Sequence, residues 1–217
     1  MSRPPLPEDG RVRRRIEAMR RVQDAALDLF EERGYSAVTV DEIAAAASVG
    51  PATVYRSFGT KERVVLWDEY DPMLLEAIAE HLANEPLLDA VTSALVASLD
   101  RIYQGDRRRI LRRARLMLTE PTLVAAAALD AVGLRAALAD LFTSTRAVPG
   151  DLEAAVAAAA VTATLEAAVR AWVDDKGRTP MADVLRRAFE SLSQLPSRRR
   201  QATEPPELPG GSAKMAR

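Results

Sequence analysis

A chain of 217 residues with 48% apolar side chains can bury a sizeable core, and a formal net charge of -1 argues against indiscriminate attraction to nucleic acid. Cysteine is absent, which excludes disulfide frameworks, thiolate metal sites and cysteine nucleophiles. Basic character is local instead, at Arg11, Arg13, Arg14, Arg15, Arg20 and Arg21 and again at Arg107–Arg109. Alternating β-branched runs bounded by turn residues hardly occur, and alanine is abundant, so an all-α fold is expected.

In chain order, residues 1–10 read as a disordered tail rich in proline and polar groups. A first helix starts near Arg11 and turns Ile16, Met19, Val22, Ala25, Ala26, Leu29 and Phe30 inward. It stops at Arg33, where Gly34 can take the left-handed capping conformation. Asp24, Asp28 and Glu32 read as a solvated charge row. Thr39 followed by Glu42 is a capping box, and Val40, Ile43, Ala44 and Ala47 bury one face of the second helix. Ser48-Val49-Gly50 breaks that pattern. Pro51 then suits the first position of a third helix, Pro51–Phe58, which points Val54 and Phe58 inward and carries Tyr55 at the margin. Ala52, Thr53, Arg56 and Ser57 are left facing out. Two helices joined this tightly form a helix-turn-helix.

The outward face suits a DNA major groove. Small residues (Pro51, Ala52, Thr53) permit close approach to base edges, and Arg56 can donate two bonds to guanine. Thr60 caps a fourth helix whose first turn holds Lys61, an unfavourable place for a cation unless something anionic faces it. Arg13, Arg14 and Arg15 are expected to lie along phosphates or enter a minor groove as an arm.

Residues Val22 to Glu62, with their AALDLF, RGY, TVDEIA, TVYRSF and TKE runs, resemble the DNA-binding domain of the TetR/AcrR family of bacterial transcriptional regulators. Joint order and spacing make the likeness specific. Ser48 stands where glycine is common, Gly50 where a serine caps, and Ala52 where glycine is frequent. These departures bear on the operator rather than on the fold. The resemblance implies that Thr39, Tyr55, Ser57 and Lys61 hold phosphates.

Beyond Tyr70, Asp71-Pro72 is read as a joint, and a helical run continues from Met73 to Leu82. A fifth helix, about 87–103, ends at Gln104-Gly105-Asp106. A sixth, 107–119, carries arginines expected to meet helix-four acids such as Asp68 and Glu69. Pro121 opens a seventh to about Thr145, Asp151 an eighth to about Asp174, and Thr179-Pro180 a ninth with an apolar stripe of Met181, Val184, Leu185, Phe189 and Leu192. Residues 196–217 read as a second disordered tail. The domain division expected is thus 11–70 for DNA binding and 71–195 for ligand binding and dimerisation, with about nine helices in all.

One histidine, His81, and the absence of a phosphate-cradling loop leave catalysis little to stand on, so neither enzyme activity, metal nor cofactor is expected. No apolar run is read as long and uncharged enough to span a bilayer, and the opening residues lack the apolar core of a leader, so a cytoplasmic protein without a membrane partner is expected. The resemblance implies a homodimer through the last two helices, for which Val169, Met181, Leu185, Phe189 and Leu192 are the candidates. It also implies a small-molecule effector inside the helical domain, with Trp67, Tyr70, Met73, Tyr103, Met117, Phe142, Leu165 and Trp172 as candidate lining groups. An apolar or acyl-bearing effector fits such a lining. The function expected is a repressor that binds a palindromic operator in double-stranded DNA and is released by that effector. The alternative is a helical adaptor acting through protein partners.

Overall fold

The computed structural model describes residues 10–68 and 71–194; for residues 71, 72 and 100–105 it describes the backbone alone. Residues 1–9 and 196–217 of the expected tails, Glu69 and Tyr70, and the side chains of Pro72 and Tyr103 lie outside the described residues, while Gly10, expected in the first tail, opens α1. Those residues form nine helices and no strand: α1 (Gly10–Arg33), α2 (Val40–Ala46), α3 (Pro51–Phe58), α4 (Lys61–Leu66), α5 (Asp71–Leu82), α6 (Leu87–Thr119), α7 (Pro121–Ser144), α8 (Asp151–Asp174) and α9 (Met181–Gln194).

The N-terminal helices close around one apolar core. Met19, Val22, Ala26 and Phe30 from α1 meet Ile43 and Ala44 from α2, Val54 and Phe58 from α3, and Val64 and Val65 from α4. Leu123 of α7 is fully buried in this same core, with Leu116 and Met117 of α6 packed against it. The DNA-binding unit expected over 11–70 therefore borrows apolar groups from beyond residue 70. A second core holds Val91 and Leu95 of α6, Leu138 and Phe142 of α7, Val161 and Trp172 of α8 and Leu185 and Phe189 of α9.

Two expected boundaries move. The Gln104-Gly105-Asp106 break is absent: α6 runs through it for 33 residues. A mid-helix glycine costs only about 1 kcal/mol. Contacts just beyond the glycine offset that, with Arg107 donating to the Gly177 carbonyl and Asp106 buried against Arg109. Conversely the fourth helix is short, ending at Leu66 with Trp67 extended at ψ 127, and a new helix starts at Asp71.

Three helices end in a Schellman motif closed on a non-glycine residue. Ser48 (φ 56), Arg146 (φ 55) and Lys176 (φ 56) occupy the left-handed position. In each, the next amide reaches five residues back: Val49 to Ala44, Ala147 to Phe142, and Gly177 to Trp172.

The apolar stripe of α9 faces its own chain. Met181, Val184, Leu185 and Phe189 are all buried in the second core, and Leu192 and Val169 pack against it half-buried. Met181, Leu185 and Phe189, expected at a dimer interface, are thus buried within the single protomer, while Val169 and Leu192 are covered there only in part. The membrane expectation also needs correction, because α7 and α8 each carry an 18-residue window of mean hydropathy 1.6, long and apolar enough to cross a membrane by length and composition alone.

Candidate nucleic-acid interface

The second helix is entered as its sequence dictates. Thr39 is extended (φ -98, ψ 160); its Oγ accepts from the Glu42 amide at 3.3 Å while the Thr39 amide donates to the Glu42 carboxylate at 2.8 Å. The Thr39 hydroxyl also donates to that carboxylate at 2.8 Å, and Arg33 pairs with it at 2.7 Å. These donors hold the exposed Glu42 carboxyl down near pH 2, the Thr39 amide being the largest cause. After the Ser48 turn, Gly50 stands as the extended residue before α3 and offers no side-chain cap. Pro51 occupies the first helical turn, where the missing N–H costs nothing.

Burial then sorts α3 into two faces. Val54 and Phe58 are buried, and Phe58 meets Trp67 edge-on at 5.9 Å between centroids. Pro51, Ala52, Tyr55 and Arg56 are exposed, with Tyr55 at 52% standing farther out than its expected marginal place. Thr53 and Ser57 are half-buried. Among the described residues, the side chains of Thr53, Tyr55, Arg56 and Ser57 have no hydrogen-bond or ion-pair partner. A short helix thus presents an uncommitted guanidinium and three uncommitted hydroxyls on one side, beside the small Ala52.

Lys61 is differently occupied. Its Nζ donates to the carbonyls of Tyr35 at 2.9 Å and Val38 at 3.0 Å, and sits 4.1 Å from the Tyr35 ring centroid. These carbonyls supply the negative partner that its place at a helix N-terminus calls for. An ammonium carries three donors, and these two carbonyls take two of them. Tyr35 completes the cluster by donating its hydroxyl to Glu62 at 2.8 Å. Arg13, Arg14 and Arg15 lie exposed in the first turns of α1 rather than in an extended arm, and Arg14 donates to the Gly10 carbonyl at 3.0 Å.

The arginines of α6 serve the other end of this unit. Arg112 bridges Asp28 and Glu31 of α1, both at 2.6 Å, and Arg113 pairs with Asp68 and donates to the Trp67 carbonyl at 2.7 Å. The expected Asp68 contact is present, whereas the Asp24–Asp28 row is not simply solvated. Sequence reasoning missed Gln23. Its amide, buried in α1, donates to the Val64 carbonyl at 2.8 Å and the Trp67 carbonyl at 2.9 Å, and its oxygen accepts from Arg109 at 3.3 Å. Gln23 therefore caps the C-terminal end of α4 from another helix.

The described candidate effector-lining groups do not gather around one space. Trp67 and Met117 pack on the N-terminal core, while Phe142 and Trp172 are buried in the second core with Leu165 against it. The Trp172 indole donates to the Thr179 carbonyl at 3.0 Å, as a core tryptophan does. Met73 is half-buried on α5, and Tyr70 and the Tyr103 side chain lie outside the described residues.

Comparisons with known proteins converge on this geometry. Residues 23–66 match the family model of bacterial regulatory proteins of the tetR family, and residues 85–195, half of the chain, match the MftR C-terminal domain. The chain is 30% identical over 124 residues to the assigned mycofactocin biosynthesis transcriptional regulator MftR of Mycobacterium tuberculosis, covering 55% of this chain and 62% of that protein. It is 35% identical over 117 residues to the HTH-type transcriptional regulator TcmR of Streptomyces glaucescens, covering 50% of this chain and 52% of that one. The chain therefore spans less than two thirds of either relative.

Among solved structures, the fatty acid degradation regulator FadR from Bacillus halodurans superposes at TM-score 0.55 with 22% identity, over 80% of this chain and 93% of that one. FadR from Bacillus subtilis, solved in complex with stearoyl-CoA, gives 0.55 at 20% identity over 80% and 96% of the two chains. Likeness at that identity shows a shared fold. Together with the unpartnered outer face of the Pro51–Phe58 helix, these matches establish that the chain belongs to the TetR family of DNA-binding, helix-turn-helix transcriptional regulators.

Proposed function

We propose that this regulator is an effector-released repressor acting as a homodimer on a palindromic operator in the cytoplasm. Each protomer lays α3 in a major groove. Ala52, Thr53 and Arg56 meet base edges beside Pro51, while Tyr55 and Ser57 take phosphates. Thr39 and Lys61 reach phosphates as well, the first by yielding its hydroxyl from Glu42, the second with its remaining proton. Arg13, Arg14 and Arg15 flank the duplex. The observation that carries this reading is the row of side chains on α3 that have no partner among the described residues, next to neighbours whose donors are committed.

The effector is an apolar or acyl-bearing small molecule held in the helical domain. The fold supports this in that its Bacillus subtilis neighbour was solved with stearoyl-CoA. Release requires the effector to prefer the conformer that lets go of DNA. Shifting nearly all of the population takes roughly 5.5 kcal/mol of differential affinity. The short α4, joined by Trp67–Asp68 to the helices that follow and clamped by Gln23 and Arg113, is the element such a shift would move.

Fluorescence anisotropy with a duplex from the region upstream of the chain's own gene tests the proposal. Sequence-selective binding that falls steeply with salt, and is relieved by a long-chain acyl-CoA but not by free coenzyme A, is expected. Equal affinity for scrambled DNA overturns the reading; selective binding indifferent to acyl-CoA overturns its effector part.

A further inference from the structure

The residues of α3, PATVYRSF, include no Asp, Glu, Asn or Gln. Side chains that pair bidentately with adenine, or accept from the cytosine amino group, are therefore missing from its outer face. The hydroxyls of Thr53, Tyr55 and Ser57 discriminate little, since a hydroxyl both donates and accepts. What remains for discrimination is one guanidinium and one small apolar corner. Of the cations between residues 34 and 66, Lys61 bonds the Tyr35 and Val38 carbonyls and Arg63 pairs with Asp130. Arg56 is exposed and has no partner among the described residues. Ala52, also exposed, precedes it by four positions. Residues at i and i+4 share a helix face and stand about 6 Å apart along the axis. The approach to Ala52 is open, for a side-chain carbon placed on Gly50 would meet nothing within 4 Å. Its geometry is set before any partner arrives, because the Thr53 amide already bonds the Gly50 carbonyl at 2.8 Å.

We infer that each half-site presents a guanine to Arg56 and, one or two base pairs away, a thymine whose C5-methyl packs on Ala52. The inference rests on the reading of α3 given above and names the bases that face selects. The fork of Arg56 matches the O6 and N7 acceptors of guanine, whereas adenine sets an amino donor against it. The Ala52 methyl has neither donor nor acceptor. A polar base edge pressed against it loses its water without a replacement bond, while the thymine methyl gains by leaving water. An axial separation of about 6 Å, against a rise of about 3.4 Å per base pair, limits the two contacts to neighbouring or next-but-one pairs. A glycine at position 52 would have no methyl to offer, so the thymine preference follows from the alanine that stands there.

The test is fluorescence anisotropy of the full chain with the duplex it enriches from a randomised pool, resynthesised with single bases altered. Deoxyuridine in place of thymine removes only the methyl. At one position of each half-site it should weaken wild-type binding about fourfold, and about 15-fold when both half-sites carry it. Ala52→Gly should bind the thymine and uracil duplexes equally. Any loss that this variant suffers from the poorer helix propensity of glycine reaches both duplexes alike, so the ratio isolates the methyl contact. At a guanine no more than two base pairs from that thymine, 7-deazaguanine should weaken the wild type about tenfold and leave Arg56→Ala unchanged. Deoxyuridine tolerated at every thymine, an Ala52→Gly variant as sensitive to it as the wild type, or a sensitive thymine more than two base pairs from the guanine each overturns the proposal. A pool that yields no motif overturns the reading of α3 along with it. A sharp motif without these sensitivities leaves that reading standing and removes the base assignment alone.

Discussion

The ammonium of Lys61 stands 4.1 Å from the centre of the Tyr35 ring and bonds the Tyr35 carbonyl at 2.9 Å, tying the start of α4 to the loop that leads into α2. One side chain thus holds the framework of the helix-turn-helix unit. Lys61→Met should lower stability by about 1.5–3 kcal/mol, the worth of hydrogen bonds to a charged group. It should also weaken all duplexes alike and reduce the salt slope by about one. Thermal melts and salt titrations check this; a melt identical to wild type would show that the two carbonyl bonds contribute nothing.

Ser48 holds φ 56, which costs an L residue about 1–2 kcal/mol. Ser48→Gly should therefore stabilise the chain by about 0.5–1 kcal/mol after the extra entropy of glycine in the unfolded state is subtracted. Ser48→Val should destabilise it. Urea unfolding of the two variants should move the midpoint in opposite directions, and a shared direction contradicts the Schellman assignment.

Glu42 links α2 to pH. Its carboxyl is lowered from an ordinary 4.5 to about 2 by the Thr39 amide first and by Arg33 and the Thr39 hydroxyl after it. A depressed carboxyl contributes stability above its unfolded value that is lost as pH falls, here between about 4.5 and 2. Glu42→Gln should flatten the acid limb of the stability profile in that window. Tyr35 shifts the other way, raised by burial and then by its bond to Glu62. Its contribution is whole below its ordinary value of 10.0 and declines as pH climbs beyond it, so Tyr35→Phe should remove an alkaline slope. Melting temperatures read across both limits decide the matter.

Gln23 and Arg113 close the C-terminal end of α4 from α1 and α6. Gln23→Leu leaves the Val64 and Trp67 carbonyls short of a donor and should cost about 2 kcal/mol. Its mark is local as well: amide exchange over residues 64–68 should quicken in Gln23→Leu and in Arg113→Met, while α8 stays protected. Uniform change across the chain would mean that these groups do not govern α4 separately.

What was legible in the sequence had local causes. Thr39 with Glu42, Pro51, Thr60 and Gly34 each set a helix end through bonds or dihedrals within four residues, and each boundary fell where those residues put it. Gln104-Gly105-Asp106 misled because a break signal is only a small local cost, which the contacts of Arg107 and Arg109 outweigh. Gln23 left no periodic trace: a lone amide on an inward face is explained only by α4 carbonyls 41 and 44 residues away. The α9 stripe is covered within the protomer at Met181, Val184, Leu185 and Phe189, and periodicity alone says that a face is covered and not by what. The aromatic and methionine groups expected as a lining rest on residue type alone; of the described ones, Trp67 and Met117 pack on one core, Phe142 and Trp172 lie in the other, and Met73 stands half-buried on α5.

The most direct measurement is selection of bound duplexes from a randomised pool by the wild-type chain and by Arg56→Ala. The wild type should enrich an inverted repeat, with half-sites one helical turn or a multiple apart, and the variant should relax at one position of each half-site. Enrichment of no motif by the wild type, or the same motif at full sharpness from Arg56→Ala, would contradict the claim that α3 reads bases through Arg56.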